Sequence, residues 1–457
     1  MKEKMSMEDI VSFCKRKGFV YESSEIYGGF SGVYDFGPYG TLLAQNIRNA
    51  WQKAIVQEED NIVGLDSSII MAPQVWVASG HVGGFSDPLV ECKECNTRSR
   101  ADHLLEEVGV FSDEKMSDEE INKIWDENVK KIKCPKCGKT NFTEVRKFNL
   151  LVKSNLGNFA GDWDKNPTYL RGETCQGIYI NFKNVLDTTR VKVPFGIAQI
   201  GKAFRNEISP RQYIFRKREF EQMEMQMFVR PEEEMAVYEV WKQKRMDYYT
   251  EVLGFKAENL QFHEHENLVF YAKRAFDIEY RFSFGFKELE GIHARGNYDL
   301  SSHEKGSGQK LEYTDGGTGE KFVPHIVETS VGVDRTFLAV ITEFLDKDML
   351  GDEERVVLRL PLILAPIKIA ILPLLKNREE LTNKAKEIHK KLKKVCMSEY
   401  DETGTVGKRY RRQDEIGTPY CVTVDFETLE DGTVTLRDRD TGEQKRIKIE
   451  EIENFVR

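Results

Sequence analysis

Two short stretches of charged and aromatic residues could together bind a nucleoside triphosphate. The first is Phe204-Arg205-Asn206-Glu207, and the second, after a short loop, is Arg216-Lys217-Arg218-Glu219-Phe220. A guanidinium offers fixed bidentate donors and keeps its charge, so Arg205 can neutralise an α-phosphate while Arg216 reaches the γ-phosphate. The ring of Phe220 offers a face for adenine. A charged surface hairpin is the alternative interpretation, but a second phosphate-binding candidate further along the chain favours ATP.

That second candidate is the segment Glu328-Thr329-Ser330-Val331-Gly332-Val333-Asp334-Arg335-Thr336. It reads as a strand that passes through Gly332 into an apolar helix over residues 337–345. A glycine lets the backbone approach a ligand closely, and Arg335 would lie near the start of the helix, where anions are favoured. On its own the segment could equally be a helix with an exposed arginine at its start.

Four of the eight cysteines form two close pairs, Cys92/Cys95 and Cys134/Cys137. Two C-x-x-C pairs can supply four thiolates to one tetrahedral Zn²⁺, and such a closed site is structural and not catalytic. The 38 intervening residues exceed the usual zinc-ribbon spacing. Two metal-free surface hairpins, or a site that has lost its metal, are therefore the alternatives to the predicted zinc site.

Length and composition indicate a globular enzyme of two or three domains. The chain has 457 residues, of which 40% are hydrophobic and 31% charged, and its net charge is -9. This charge argues against a protein coated in basic residues, although a local basic stripe would suffice for RNA. Residues 1–8 lack an apolar signal region, and the longest apolar stretch, 356–375, is interrupted by Arg359 and Lys368. We expect a cytoplasmic protein without membrane or DNA partners.

The hydrophobic pattern predicts an α+β fold with a mainly antiparallel sheet. Helices are predicted over residues 42–56 and 231–252, and a charged helix within 113–133. Many strands with inserted helices and few regular βαβ units favour antiparallel pairing. The predicted strands are residues 62–71, 177–182, 195–204, 218–229 and 280–286.

The chain changes character near Ala365, which predicts a larger domain over 1–364, with an insertion at about 90–140, and a compact α/β domain over 365–457. In the second domain, strands at 367–372 and 420–426 flank a helix that Asn377 would cap, with Glu380 at its third position. The basic cluster Lys408-Arg409-Tyr410-Arg411-Arg412 could meet a phosphate backbone or could be an ordinary solvated face.

These motifs, taken in order, resemble those of the class II aminoacyl-tRNA synthetases, and among them the homodimeric type of glycyl-tRNA synthetase. Residues 62–73 with Ser79-Gly80-His81-Val82 are similar to the dimer-forming first motif, residues 204–228 to the second, and Gly332-Val333-Asp334-Arg335 to the third. Arg171-Gly172-Glu173-Thr174-Cys175-Gln176-Gly177 resembles a substrate-binding strand. Gly417-Thr418-Pro419-Tyr420 and Val424-Asp425-Phe426 resemble an anticodon-binding domain.

The resemblance implies a class II catalytic domain over 1–364, an anticodon-binding domain over 365–457 and a two-step reaction. Glycine would attack the α-phosphate of ATP to give glycyl-adenylate and pyrophosphate, and the terminal adenosine of glycine tRNA would then accept the glycyl group. Such chemistry depends on positioning and charge stabilisation and needs no protein nucleophile. A second ATP attacking the adenylate would give dinucleoside polyphosphates as a side activity. The implied partners are glycine, glycine tRNA and a second copy of the chain.

The same resemblance assigns roles to individual residues. Arg205, Arg335 and Glu207 would be catalytic, Phe220 would stack on adenine, and Glu288 would hold Mg²⁺. The implied ATP contacts are Arg205, Asn206, Glu207, Phe215, Arg216, Lys217, Arg218, Glu219, Phe220, Glu288, Leu289, Gly332, Val333, Asp334 and Arg335. The implied substrate contacts are Arg100, Glu173, Phe220, Glu221, Gln222, Met223, Glu224, Arg295, Glu328, Thr329, Ser330, Val331 and Gly332.

Glycine offers only an ammonium and a carboxylate, so Glu173, Glu224 and Glu328 would bind the ammonium, and close walls would exclude a side chain. The chain departs from the family pattern at Cys175, where alanine is expected, and at Gly296-Asn297, where Thr-Asp is expected. Two other classes of function are a non-catalytic nucleic-acid-binding relative and an ATP-using ligase that acts without tRNA. The phosphate-binding arginines argue against the first, and the C-terminal domain argues against the second.

Overall fold

A seven-stranded, largely antiparallel sheet forms the centre of the larger domain. The computed structural model describes residues 5–110, 116–156, 167–208, 210, 212–265 and 273–456. In this sheet the edge strand Ile62–Gly64 pairs in parallel with its neighbour, and the other pairs are antiparallel. The predicted α+β class is confirmed. The strands follow the spatial order Leu260–Glu264, Arg274–Phe282, Gly285–Gly296, His325–Gly332, Glu219–Val229, Phe195–Phe204 and Ile62–Gly64.

The strand Glu219–Val229 shows how the sequence builds the two faces of this sheet. Successive side chains of a strand point to opposite faces. Met223, Met225 and Met227 are therefore buried in the main hydrophobic core, beneath the helices Pro38–Gln52 and Val333–Phe344. The polar residues between them point to the other face, where the functional cavity lies.

The cysteine pairs lie in an insertion with its own small core. The strand Ser86–Glu91 pairs with Arg98–Arg100 and Arg146–Asn149 in a three-stranded antiparallel sheet. Trp125, in the helix Asp118–Asn128, packs edge-on against Phe142 with ring centroids 5.6 Å apart. Ser117 caps this helix and Glu120 closes a capping box. A helix was predicted within 113–133, and residues 113–115 of that range lie outside the described part.

The C-terminal domain is a five-stranded mixed sheet flanked by helices. Its strands follow the order Ser398–Tyr400, Ile369–Pro373, Tyr420–Val424, Thr433–Asp438 and Gln444–Lys448, and the first three run parallel. Its helices are Glu379–Leu392, Val406–Ile416 and Phe426–Asp431. The residue before the first helix is Arg378 and makes no side-chain cap, so the predicted cap at Asn377 is wrong by one position.

A buried ionic network joins this domain to a hairpin, Leu345–Leu350 and Glu353–Leu358, that follows the last helix of the larger domain. Arg355 donates to Asp348 Oδ1 at 2.7 Å and to Asp414 Oδ2 at 2.8 Å, and Arg437 donates to Asp414 Oδ1 at 2.8 Å. Arg355, Asp414 and Arg437 are all buried, so the three charges depend on one another.

Arginines of the basic cluster 408–412 are also engaged by the protein itself. Arg409 is buried and donates to the carbonyls of Pro373, Glu402 and Gly404. Arg411 pairs with Glu353, and Arg412 pairs with Asp401. This arrangement favours a structural role for Arg409 over contact with a phosphate backbone.

The remaining elements are mostly short, apart from the 14-residue helix Glu234–Asp247. Additional helices are Met7–Arg16, Pro73–Ala78, His81–Gly84, Ala101–Glu106, Cys175–Ile180, Phe182–Thr188, Glu234–Asp247 and Tyr298–Ser307, with five-residue π-helical turns at Lys53–Gln57 and Tyr248–Val252. The 3-10 helices are Glu25–Tyr27, Val129–Lys131, Tyr213–Phe215, Ala257–Asn259 and Ile449–Phe455. Further strands are Val20–Glu22, Tyr34–Phe36, Val152–Ser154, Thr168–Leu170, Tyr313–Thr314 and Lys321–Phe322. Among the described residues, no helix combines the length and the apolar character needed to cross a membrane.

Several predicted strands are wrong in kind or extent. Residues 177–180 lie in the helix Cys175–Ile180 and Phe182 begins the helix Phe182–Thr188, with Asn181 between them. The prediction was wrong because a short apolar run does not by itself distinguish a buried helix from a strand. The substrate-binding strand predicted over 171–177 is likewise a turn leading into the first of these helices. The strand predicted at 62–71 ends at Gly64, the range 280–286 spans a hairpin turn, and Phe426 begins a helix. Ser209 and Arg211 of the second motif lie outside the described residues.

Candidate active site

A cavity of about 230 Å³ opens on the polar face of the central sheet. Alternate residues of three neighbouring strands point into it, together with the loop before the strand Glu219–Val229 and the start of the helix Val333–Phe344. The predicted site residues that line it are Glu173, Arg205, Glu207, Phe215, Arg216, Lys217, Phe220, Gln222, Glu224, Glu288, Leu289, Arg295, Glu328, Ser330, Gly332, Asp334 and Arg335.

Four of the other predicted residues point away from the cavity, three of them (Met223, Thr329 and Val331) through strand alternation and Val333 at the start of the helix Val333–Phe344. Met223, Val331 and Val333 belong to the main hydrophobic core, and Thr329, two residues from Val331 on the same strand, is fully buried. Adjacent residues of a regular strand point to opposite faces, so a continuous motif overstates the contacts that its strand can make.

The remaining predicted residues make other contacts. Glu219 pairs with Lys202 at 3.0 Å and Glu221 with Arg48 at 2.6 Å. Arg100 pairs with Asp87 at 2.8 Å and with Asp102 at 2.5 Å. Asn206 and Arg218 line a separate groove of about 560 Å³ that also includes Arg98 of the insertion.

One end of the cavity is cationic and aromatic. The guanidinium of Arg205 lies between two rings, 5.1 Å from the centroid of Phe85 and 5.3 Å from that of Phe220, and its Nε donates to the carbonyl of Gly172 at 3.1 Å. These contacts leave its terminal nitrogens to meet an anion in a fixed orientation. Arg216 lies 3.7 Å from Glu207.

Arg335 and Lys217 differ in how they are held. Arg335 lies over the ring of Phe215 at 4.5 Å and pairs with Glu288 at 2.9 Å. Lys217 is buried and donates to Asp334 Oδ1 at 2.8 Å, while Asp334 Oδ2 accepts from the backbone N–H of Glu221. Asp334 therefore joins the start of the helix to Lys217 and to the strand, and Arg335 remains partly exposed beside the cavity.

The other end of the cavity is acidic. Glu224 accepts hydrogen bonds from Ser330 at 2.7 Å and from Thr174. Glu328 accepts from Gln226 at 2.7 Å and from Arg295 at 3.1 Å. Both carboxylates are buried, so each depends on these donors for the hydrogen bonds that water would otherwise provide.

Glu173 is the third carboxylate of this end. His81 Nε2 lies 3.2 Å from its Oε1, Gln176 Nε2 donates to the same oxygen at 2.8 Å, and the Cys175 thiol donates to it at 3.0 Å. Cys175 Sγ, which replaces the alanine of the family pattern, also lies within 4.8 Å of oxygens of Glu224 and Glu328. The thiol is thus enclosed by the three carboxylates.

The three glutamates differ in their affinity for protons. Burial, followed by the charges of Glu328 and Glu173, raises the pKa of Glu224 to about 7. Burial also opposes ionisation of Glu328, but Arg295 and His293 outweigh it and lower its pKa to about 2. The pKa of Glu173 lies well below its ordinary value, because His81, together with Arg295 and the Cys175 thiol, outweighs the cost of burial there. Near neutral pH, Glu224 is the carboxylate whose charge responds to what enters the cavity.

Comparison with known proteins agrees with this geometry. Residues 159–344 match the model of the tRNA synthetase class II core domain (G, H, P, S and T), and residues 368–457 match that of the anticodon binding domain. The chain is 49% identical to a glycine–tRNA ligase of Clostridium acetobutylicum, over 100% of this chain and 99% of that protein. It is 50% identical to one of Clostridium beijerinckii, over 99% and 98%, and 49% identical to one of Borrelia hermsii, over 99% and 97%.

The chain belongs to the glycine–tRNA ligase family of class II aminoacyl-tRNA synthetases. The resemblance to a class II glycyl-tRNA synthetase inferred from the motifs is confirmed. Class II synthetases use ATP and Mg²⁺, and the cavity of this glycine–tRNA ligase family member has arginines at one end, with Glu207 and Glu288 close to them.

Sequence reasoning missed Ile214, Gly291 and His293, which also line the cavity. His293 Nδ1 lies 2.8 Å from Glu328 Oε1. A signal for two of them was available, because Arg295 was predicted to face the substrate and a strand repeats every two residues. Counting back from Arg295 by twos gives His293, Gly291 and Leu289, all of which line the cavity.

The four paired cysteines come together in the insertion of this glycine–tRNA ligase family member. Cys92 Sγ lies 3.6 Å from Cys137 Sγ, Cys95 Sγ lies 3.6 Å from Cys134 Sγ, and all four sulfurs lie within 4.8 Å of one another. Sulfurs at about 2.3 Å from a tetrahedral Zn²⁺ would be separated by about 3.8 Å. The cluster is therefore compatible with a zinc site.

Proposed function

We propose that this cavity catalyses the formation of glycyl-adenylate from glycine and ATP, and that the chain then transfers glycine to the terminal adenosine of glycine tRNA. The observation that carries the proposal is the juxtaposition of an arginine-rich end and a three-carboxylate end in one cavity. A phosphate chain fits the first, and an ammonium fits the second. The attacking carboxylate and the α-phosphate would meet between them.

At the nucleotide end, the arginines would bind ATP. Arg205, held between two rings, would neutralise the α-phosphate as charge develops there, and Arg216 and Arg335 would bind the outer phosphates. Phe220 would stack on adenine and Leu289 would line the base pocket. Glu207 and Glu288 would hold Mg²⁺, which would supply further neutralisation of the phosphate charge.

At the acidic end, Glu173, Glu224 and Glu328 would bind the ammonium of glycine. Glu224 and Glu328 are fixed by hydroxyl, amide and guanidinium donors, so they cannot withdraw to make room for a larger amino acid without losing buried hydrogen bonds. Such an arrangement selects glycine sterically, because a side chain would force the packed wall to move.

The second step would bring tRNA to both domains. The domain over 365–457 would bind the anticodon, and the domain over 1–364 would receive the terminal adenosine at the cavity. We further propose a homodimer, formed through the segment that resembles the first class II motif, and the cytoplasmic location expected from the sequence stays a prediction.

The cysteine cluster is proposed to hold a structural Zn²⁺. Cys92, Cys95, Cys134 and Cys137 would fill all four positions of a tetrahedral ion, leaving none for a substrate. Its contribution would be to fix the insertion beside the strand Ser86–Glu91, and no reaction step passes through it.

Charging of glycine tRNA tests the proposal against its alternatives. Purified full-length protein, incubated with ATP, Mg²⁺ and radiolabelled glycine, should convert glycine tRNA to the acid-precipitable aminoacylated form and leave alanine tRNA unlabelled. Glycine-dependent pyrophosphate exchange without charging would indicate a ligase that acts without tRNA. Neither activity would indicate a binding protein, and either of those results would overturn the proposed function.

A further inference from the structure

Residues 79–85 form a short segment that lies behind both ends of the cavity without lining it. The segment contains the four-residue helix His81–Gly84, and Gly80 precedes it at a φ of 83°, which favours glycine. Asn149 holds its main chain, since its Nδ2 donates to the carbonyls of His81 at 3.1 Å and of Val82 at 2.9 Å.

The imidazole of His81 lies between the acidic end and a hydroxyl. Its Nε2 lies 3.2 Å from Glu173 Oε1, and its Nδ1 lies 2.8 Å from Ser79 Oγ. A carboxylate can only accept, so the hydrogen bond to Glu173 requires that Nε2 carry the proton. Trp76, with its ring centroid 5.3 Å away, packs edge-on against the imidazole and limits its rotation.

The ring of Phe85 packs against Arg205 at the arginine-rich end of the cavity. It forms one of the two faces between which the Arg205 guanidinium is held, at 5.1 Å from its centroid. A methyl group on Gly172 would come within 3.2 Å of this ring, and the carbonyl of Gly172 accepts from Arg205 Nε. Phe85 therefore packs against both the arginine and the residue that anchors it.

A backbone connection adds to this contact. The N–H of Leu150 donates to the carbonyl of Phe85 at 2.9 Å, and the carbonyl of Leu150 accepts from the N–H of Asn206 at 2.8 Å. Asn206 follows Arg205 in the chain. The position of Phe85 is thus coupled to Arg205 through both the side chain and the main chain.

The two rings of the segment also contact each other. The centroids of His81 and Phe85 are 5.1 Å apart at an interplanar angle of 61°. We propose that residues 79–85 are a shared positioning element, in which His81 orients Glu173 toward the glycine ammonium and Phe85 orients Arg205 toward the α-phosphate. This inference rests on the proposed function, and it assigns both residues to positioning and neither to contact with substrate.

The two residues should have separable kinetic effects. His81→Leu removes the donor to Glu173 and should raise KM for glycine about tenfold, since a hydrogen bond to a charged group is lost, with KM for ATP within about twofold of wild type. Phe85→Leu keeps the apolar packing but removes the π face, and it should lower kcat/KM for ATP about threefold to tenfold with a smaller effect on glycine.

The experiment is ATP–pyrophosphate exchange with the purified full-length chain, varying glycine and ATP independently. His81→Gln keeps an N–H donor and Phe85→Tyr keeps an aromatic face, so both should recover most of the lost activity. Val240→Ala, which shortens an exposed apolar side chain on the helix Glu234–Asp247 outside the cavity lining, is the control for loss of an apolar group and should match wild type. Thermal unfolding of each variant separates loss of folded protein from loss of positioning.

A double substitution tests whether His81 affects glycine binding through Glu173. In a Glu173→Gln background, His81→Leu should raise KM for glycine little further, because the partner of the imidazole has already been changed. The inference is overturned if His81→Leu and Phe85→Leu raise both KM values in parallel, if their kinetics match those of Val240→Ala, or if the His81 effect persists undiminished in the Glu173→Gln background. A wild-type protein without glycine-dependent exchange would overturn the proposed function itself, and this inference with it.

Discussion

The guanidinium of Arg335 lies 2.9 Å from the carboxylate of Glu288 at the nucleotide end of the cavity. The charge of Arg335 is the main reason that the pKa of Glu288 is lowered, so the carboxylate remains ionised across the neutral range. Before ATP binds, the two side chains neutralise each other. With ATP bound, the outer phosphates would compete for Arg335, and Glu288 would become available to Mg²⁺.

Glu288→Gln should therefore raise the Mg²⁺ requirement of the reaction. We expect about tenfold more Mg²⁺ for half-maximal pyrophosphate exchange, because an amide is a weaker ligand for a hard cation than a carboxylate. Titration of Mg²⁺ at saturating ATP and glycine measures this directly. Glu264→Gln, which changes an exposed glutamate paired with Arg274, is the control. An unchanged Mg²⁺ dependence would remove Glu288 from the metal site.

Arg205→Ala should lower the adenylation rate about a hundredfold, because a preorganised charge at the developing α-phosphate is lost. The fold should survive, since the guanidinium is held by two rings and one carbonyl at the edge of the cavity and is not part of the core. Single-turnover formation of glycyl-adenylate measures the rate. Arg274→Ala, which removes a surface arginine paired with Glu264, should leave it unchanged. Full activity of the Arg205 variant would contradict its role.

Glycine binding should improve as the pH rises through 7. In the free protein Glu224 has a pKa of about 7, raised chiefly by burial, so it is largely protonated below that value. An ammonium favours the ionised carboxylate, so binding below pH 7 must release a proton, and KM for glycine should fall between about pH 6 and about pH 8. Glu224→Gln should flatten this profile while raising KM overall. A wild-type KM that does not vary over this range would contradict the assignment.

The raised pKa of Glu224 also affects the stability of the unliganded protein, which should decrease as the pH rises. Between the ordinary value of 4.5 and about 7, the folded state binds more protons at Glu224 than the unfolded state does. The contribution of this residue to the free energy of unfolding should therefore decrease as the pH rises through that window. Comparing wild type with Glu224→Gln in denaturant titrations across the window isolates this contribution.

Removal of the proposed zinc should destabilise the insertion first. Cys92→Ser and Cys134→Ser each take a buried thiolate from the cluster, so the purified variants should lose zinc and the insertion should become sensitive to protease at a lower temperature. Metal analysis should find about one zinc per wild-type chain, as one four-thiolate site requires. Cys396→Ser, which changes a half-buried cysteine outside the cluster, is the control. A metal-free wild-type protein would contradict the proposal.

Asp414→Asn should destabilise the C-terminal domain by about 3 kcal/mol, because two buried arginines, Arg355 and Arg437, would lose the charge that compensates them. Chemical denaturation followed by circular dichroism gives the change in the free energy of unfolding. Pyrophosphate exchange should stay near the wild-type rate, since the network lies outside the cavity. Glu380→Gln, an exposed change in the same domain, controls for the loss of one charge. A decrease in the free energy of unfolding of less than about 1 kcal/mol, which is typical of an exposed ion pair, would contradict the mutual dependence of the three buried charges.

The sequence predicted the family, the fold class and the majority of the cavity lining, because those depend on residue types in a fixed order along the chain. It predicted too many cavity-lining residues wherever every residue of a motif was taken as a contact. Met223 and Val331 lie between cavity-lining neighbours on their strands, and the two-residue repeat turns both into the core. Counting back two residues from Arg295 on its strand would have predicted that His293 also lines the cavity.

Other features could not be predicted because they depend on tertiary contacts. His81 and Phe85 reach Glu173 and Arg205 across roughly a hundred residues of chain, and no local pattern encodes that approach. The helix Cys175–Ile180 was predicted as a strand because its apolar run is too short to show a period. Arg409 belongs to a basic cluster in the sequence, yet its guanidinium is buried against backbone carbonyls.

The most direct test of the central claim is ATP–pyrophosphate exchange by the full-length chain with each of the twenty amino acids. The arginine and carboxylate ends of the cavity predict exchange that depends on glycine, with alanine at least about tenfold weaker in kcat/KM because its extra methyl group must displace a packed wall. Exchange that is equal for glycine and alanine, or that requires a different amino acid, would contradict the account of the acidic end. Absence of exchange with every amino acid would contradict the account as a whole.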